Sequence, residues 1–154
     1  MNAPSFRLLA GAAVLLAATS GHCATYPLDD SASQVVPPNA RWQWAQGSLR
    51  TGINTLEMNV RVNVRIDTRA WAGKASRIYM VLPLEGSSPV TAQWQAQGRL
   101  QGGRMVSGER ALVFTGVVPG PLLEDTLQVR LTTDARLLRE EVRRLAFHFE
   151  LENP

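Results

Sequence analysis

The sequence predicts an all-β protein, a sandwich of antiparallel sheets with about seven or eight strands and room for one short helix before the last. Three observations carry this. Residues 56–67 (LEMNVRVNVRID) alternate without a break, with Leu56, Met58, Val60, Val62, Val64 and Ile66 on one side and Glu57, Asn59, Arg61, Asn63, Arg65 and Asp67 on the other. Several shorter apolar runs follow, divided by segments rich in glycine, proline and serine. The chain has 154 residues, 45% hydrophobic and 19% charged, which suits one packed core rather than two.

The alternation of residues 56–67 has the period of a strand, whose successive side chains point to opposite faces; a helix would spread both classes around its circumference. One-sided burial is the habit of antiparallel sheets, since parallel sheets are covered on both faces. Residues 76–82 (SRIYMVL) are more uniformly apolar and suit a central strand. In residues 90–97 (VTAQWQAQ), Val90, Ala92, Trp94 and Ala96 share a face opposite Thr91, Gln93, Gln95 and Gln97. Gly102 and Gly103 lie between two short runs and fit a tight two-residue hairpin turn, which requires positive φ at both positions. Residues 111–118, 125–132 and 145–151 complete the set, with turns expected at 84–89, 107–109 and 119–121. Short strands at this spacing build a sandwich or a small barrel. Residues 134–144 (DARLLREEVRR) carry Leu138, Val142 and Leu145 at helical spacing, with Asp134 placed to cap, so a short helix or a charged crossover is expected there.

Ahead of these elements the chain divides twice. Residues 1–23 read as a signal peptide: a short basic start ending at Arg7, an apolar run of eleven residues over 8–18, then small or polar residues. A membrane span needs about 20 apolar residues, so this run is too short to stay in the bilayer, and no later stretch is longer. The mature chain is therefore expected outside the cytoplasm, with no transmembrane segment. Cleavage fits after either Ser20 or Cys23, and acylation of Cys23 is disfavoured because His22, not a small residue, precedes it. With one cysteine no intramolecular disulfide can form, so stability must come from the core. Residues 24–40, with three prolines and the adjacent Asp29 and Asp30, read as an extended amino-terminal arm. Residues 41–154 are then the sandwich domain.

Tested for chemistry, these residues point away from catalysis. Beyond residue 23 there is a single histidine, His148, flanked by Phe147 and Phe149 and so placed on the solvent face of its strand. No set of histidines and thiolates exists for a zinc site, no serine sits in a nucleophile elbow, and no glycine-rich loop opens a helix. The carboxylate pairs Asp29–Asp30, Glu124–Asp125 and Glu140–Glu141 read as surface charge, because neighbours on a strand face opposite ways and cannot flank one bond. No cofactor, no metal and no enzymatic activity are expected. Fifteen arginines, one lysine and thirteen carboxylates give a net charge of +3, and the arginines are scattered rather than gathered in a stripe. Nucleic-acid binding is not expected on that distribution. The residues best suited to binding are Trp42 and Trp44, two aromatics on one face beside the amino-terminal arm, whose other reading is closure of a sandwich edge. Trp94, sharing its face with two alanines, is expected in the core.

A leader, an extended arm and short alternating strands together resemble chaperone-usher fimbrial subunits and related periplasmic immunoglobulin-like proteins. Residues 119–132 (PGPLLEDTLQVRLT) are similar to a late-strand pattern of such subunits, a glycine-containing turn leading into Asp-Thr-Leu-x-Val-x-Leu. The resemblance implies an immunoglobulin-like sandwich and an address in the periplasm, cell surface or fimbrium of a Gram-negative-type bacterium. It implies protein partners met by strand addition: a pilus chaperone, an usher or a neighbouring subunit. Tyr26, Leu28, Val35 and Val36 alternate poorly and are interrupted by prolines, which suits an accessory, tip or basal subunit better than a major shaft pilin. The alternative is a stand-alone periplasmic or surface module that binds a glycan, a peptide or an envelope protein.

Overall fold

Two antiparallel sheets pack face to face around one core in the computed structural model, which describes residues 24–45, 54–84, 89–137 and 146–153. Ten strands lie among the described residues: β1 (Ala24–Pro27), β2 (Gln34–Val36), β3 (Gln43–Trp44), β4 (Thr55–Asp67), β5 (Ala75–Val81), β6 (Thr91–Ala96), β7 (Gly103–Val106), β8 (Arg110–Val117), β9 (Leu122–Asp134) and β10 (His148–Asn153). A single 3-10 turn, Arg69–Trp71, joins β4 to β5. One sheet runs β1-β10-β5-β8; the other runs β2-β4-β9-β6-β7, with β3 also on β4. Two separate sheets make this a sandwich, not a barrel.

The period-two pattern lands where it should. Val60, Val62, Val64 and Ile66 of β4 are buried at 7% exposure or less, while Asn59, Arg61 and Arg65 are exposed. Opposite β4 lies β9, in register over thirteen pairs from Thr55↔Asp134 to Asp67↔Leu122. It is longer than the expected 125–132 because Leu122 and Leu123 extend the partnership to the full length of β4. Leu123, Leu127, Val129 and Leu131 of β9 meet Ile78, Met80, Phe149 and Leu151 of the facing sheet in the core. Each such side chain contributes about 1.5–3 kcal/mol of transfer free energy before entropy is set against it.

Three elements depart from the sequence reading. Residues 24–40 are extended but not a free arm: β1 pairs with β10, and β2 pairs with β4. Between them the chain passes from one sheet to the other. The Leu28 amide donates to the Phe149 carbonyl at 2.9 Å, the Asp67 amide to the Asp29 carbonyl at 2.8 Å, and Leu28 is buried. Edge strands carry unpaired backbone groups, and this segment satisfies those of two strands at once. The immediate Gly102–Gly103 turn is also absent. Gly103 stands inside β7 opposite Trp94, residues 97–102 form the connection, and neither glycine has positive φ. A Cβ on Gly103 would lie 2.8 Å from the Trp94 ring, so this glycine is set by close approach rather than by turn geometry. Finally, the β5–β8 register shifts between Ile78 and Tyr79, leaving Val113 as the extra residue of a bulge. Val113 is buried and its neighbour Phe114 packs on the core, so two consecutive side chains face inward. Strict alternation could not predict that. Of the expected helix over 134–144, Asp134 ends β9 and a turn follows through Leu137; the remainder lies outside the described residues, as does the whole of 1–23.

β4 and β9 end alike. Asp67 accepts hydrogen bonds from the amide and guanidinium of Arg69, and Asp134 does the same with Arg136. Those bonds, the side-chain one foremost, hold the Asp134 carboxyl down at about 2. A depressed carboxyl contributes stability that is present above its unfolded pKa and is lost as the pH falls through the folded value. The carboxyl carbon of Asp134 should therefore titrate near pH 2 in a carbon-detected NMR series, and Arg136→Ala should return its midpoint toward the ordinary range.

The register itself is testable. Val62→Asp places a carboxylate among buried aliphatics and should abolish folding, whereas Arg61→Ser, on the wet face, should cost under about 0.5 kcal/mol in urea unfolding. Equal sensitivity at the two positions would contradict one-sided burial.

Candidate functional site

The two expected binding residues lie toward the core side of the larger sheet and differ in exposure. Trp44 lies in β3 opposite Leu56, so it belongs to the core-side face of the sheet at its rim, and half of it is exposed. Trp42, just before β3, is partly buried and packed on the core. They do not form an outward-facing aromatic stripe. Trp71 packs against Tyr26 with the rings tilted by 50° and their centroids 4.7 Å apart, and the Lys74 ammonium lies 5.1 Å from the Trp71 ring. Those contacts fasten β1 to the 3-10 turn. Trp94 is 2% exposed, as expected of a core residue, and its indole N–H donates to the Gln101 carbonyl at 2.9 Å.

Asp125 is a correction. The expectation of surface charge at Glu124–Asp125 holds for Glu124 only: Asp125 is buried on the inner face of β9. Its carboxylate accepts from the amides of Gly98 (2.7 Å), Leu100 (2.7 Å) and Thr126 (2.6 Å). Gly98 lies so close that a Cβ there would come within 3.0 Å of the carboxyl group. Asp125 thus anchors the 97–102 loop and satisfies amides that burial would otherwise orphan. The signal was available: Asp125 has the parity of Leu123, Leu127 and Val129, so alternation itself put it inside. Glu124 is exposed and pairs with Arg65 at 2.8 Å. Of the other carboxylate pairs, Asp29 is exposed while Asp30 is partly buried, its carboxyl pushed up chiefly by desolvation. Glu140–Glu141 lies outside the described residues. His148 is on the solvent side of β10, 3.4 Å from Glu150. Among the described residues no group of three or more His, Cys, Asp and Glu is placed to hold a metal ion, and no helix is long and apolar enough to cross a membrane.

Two exposed surfaces among the described residues are defined by their geometry. The first is the edge of the smaller sheet. β10 has β5 on one side and only the four-residue β1 on the other, and every residue of β1 is exposed. The second is the outer face of the larger sheet. Directly opposed residues place Val36, Arg61, Gln128 and Gln95 in one row, and Asn59, Arg130, Gln93 and Arg104 in the next. A further row holds Gln34, Asn63 and Thr126. Over it lies a shallow hollow of about 590 Å³, bordered by Arg65, Gln97 and Glu124 as well. Another, of about 290 Å³, lies among Asn59, Gln93, Gln95, Gln128 and Arg130. Sequence reasoning took these residues only as the wet side of strands, because their assembly into one face depends on which strands become neighbours.

No family model, no curated protein and no solved structure matches this chain significantly.

The Asp125 anchor has a direct measure. Asp125→Ala should cost about 3 kcal/mol or more in urea unfolding, since it strands buried amides, and Asp125→Asn should fall between it and the wild type. Glu124→Ala, which removes only an exposed ion pair, should cost under about 1 kcal/mol.

Proposed function

We propose that this chain is a non-catalytic, exported structural or interaction module, an accessory or minor fimbrial subunit that meets protein partners of the cell envelope by strand addition. The observation that supports this reading is the β1–β10 edge. Among the described residues, one side of β10, whose Phe149 and Leu151 belong to the core, is covered by a strand of only four residues, all exposed, and by the Leu28 amide that follows it. A strand of four residues contributes few ladder hydrogen bonds, so a longer strand of a pilus chaperone, usher or neighbouring subunit can take its place at small cost. Sequence features point the same way: the leader-like residues 1–23 and the resemblance of 119–132 to a late strand of fimbrial subunits.

A second reading, a stand-alone periplasmic or surface binding module, is favoured by the polar hollows on the larger sheet. The two readings part on how the domain behaves when β1 is removed. Deletion of residues 24–27 should lower the melting temperature and make the protein associate in a concentration-dependent way by analytical ultracentrifugation. An excess of a peptide with the sequence of residues 24–30 (ATYPLDD) should restore the monomer. A deletion variant that stays monomeric with an unchanged, cooperative melt would remove the ground for strand addition and leave the stand-alone module.

A further inference from the structure

We infer that the outer face of the six-stranded sheet is a binding site for an anionic polysaccharide, a polymer of carboxylate-bearing sugar rings. The inference does not rest on strand addition at the opposite sheet, and holds for a filament subunit or a free-standing module alike.

Chemistry of the face comes first. Across β2, β4, β9, β6 and β7 the outward positions are amides, guanidiniums, hydroxyls and four carboxylates; Val36, Val106 and Leu122 are the apolar exceptions, at the margins. Amide side chains both donate and accept, which is what a sugar hydroxyl needs on each side of it. Six of them, Gln34, Asn59, Asn63, Gln93, Gln95 and Gln128, project from adjacent strands.

Charge selects the kind of sugar. Four arginines of these strands stand on the face against four carboxylates, and every carboxylate is already engaged: Glu124 with Arg65, Glu57 with Arg130, and, at the ends of β4 and β9, Asp67 with Arg69 and Asp134 with Arg136. Among the described residues Arg61 and Arg104 make no ion pair with a carboxylate, and both are exposed. An unengaged guanidinium presents a planar fork of donors that matches a carboxylate bidentately. The face is thus a field of amides with two positive points, complementary to a chain of hydroxyls that carries carboxylates at intervals.

Spacing selects a polymer over a single sugar. Arg61 on β4 and Arg104 on β7 are separated by three strand steps and one row, so with strands about 4.8 Å apart and rows about 7 Å apart they stand about 16 Å from one another. No monosaccharide reaches both. Duplex nucleic acid is the poorer fit, because it demands a dense run of unpaired cations, and single strands demand exposed aromatic rings for their bases. Neither is on this face; its one neighbouring tryptophan, Trp94, points into the core.

The test uses the full chain and polygalacturonate, with dextran as the neutral polymer and duplex DNA as the competing polyanion, by titration calorimetry and retardation in polymer-containing gels at 0.15 M salt. Polygalacturonate should bind, dextran should not, and galacturonic acid monomer should fail to compete at equal carboxylate concentration. Arg61→Gln with Arg104→Gln should weaken binding at least tenfold. Lys74→Gln with Arg77→Gln removes the same charge from elsewhere and should leave binding within twofold. Gln93→Ala with Gln128→Ala changes no charge and should weaken it at least threefold, an effect that diffuse attraction to a basic protein would not show. All variants are at exposed positions, and unchanged melting temperatures establish that they fold. The proposal is overturned by failure to bind polygalacturonate, by equal losses in the two charge-removing variants, by no loss in the amide variant, or by tighter binding of DNA. Loss of the monomer on deleting 24–27 bears on strand addition alone, so the two ideas fail separately.

Discussion

The thirteen-residue antiparallel pairing of β4 with β9 is the constraint on which the rest of this molecule depends. It is the longest ladder among the described residues and lies next to both flanks of the larger sheet, with β2 and β3 leaning on β4 and β6 leaning on β9. Because residues directly opposed in a ladder share a face, one register decides the inside and the outside together. Moving it by one residue would send Val62 and Leu127 to solvent and bring Arg61 and Gln128 into the core, an exchange no small domain can absorb. The same register that builds the apolar interior therefore also composes the amide and guanidinium rows on the far side.

Polar anchoring finishes what the ladder begins. Buried Asp125 sits in the apolar series of β9, and its carboxylate is satisfied by three amides, two of them from the 97–102 loop. This holds the loop over one end of the sandwich, where the Trp94 indole and the absence of a side chain at Gly103 close the gap. Toward the same end of the β4–β9 ladder the amino-terminal segment stitches the sheets together, with Leu28 in the core and the Asp29–Asp67 bridge just beyond it. A sandwich closed firmly at the loop and lightly at β1 has a preferred place to open. Strand addition at β1 and binding at the outer face of the larger sheet, as proposed, draw on two different parts of the fold.

Much of this was legible beforehand, for a physical reason. Strand periodicity is a local property, and Leu56 through Asp67 display it without error, so the existence and facing of β4 follow from the residues alone. The core positions of Trp94, Val129 and Leu131 follow by the same parity, which also places Asp125 inside despite its charge. The turn at 107–109 was equally plain, and Gly108 there has a φ of 90°.

Composition and periodicity by themselves determined that this is an all-β chain with one-sided strands and a single core, because burial of alternate side chains is written residue by residue. Only the tertiary structure decided which strands are neighbours, that 24–40 is woven into both sheets, and that Val113 bulges inward beside Phe114. Tertiary structure also separated Trp42 and Trp44 from any outward stripe and gathered Arg61, Gln128, Gln95 and Arg104 onto one surface. These are long-range pairings between segments far apart in sequence, selected by the backbone groups each edge must satisfy and the volume each side chain must fill, and no local pattern encodes them.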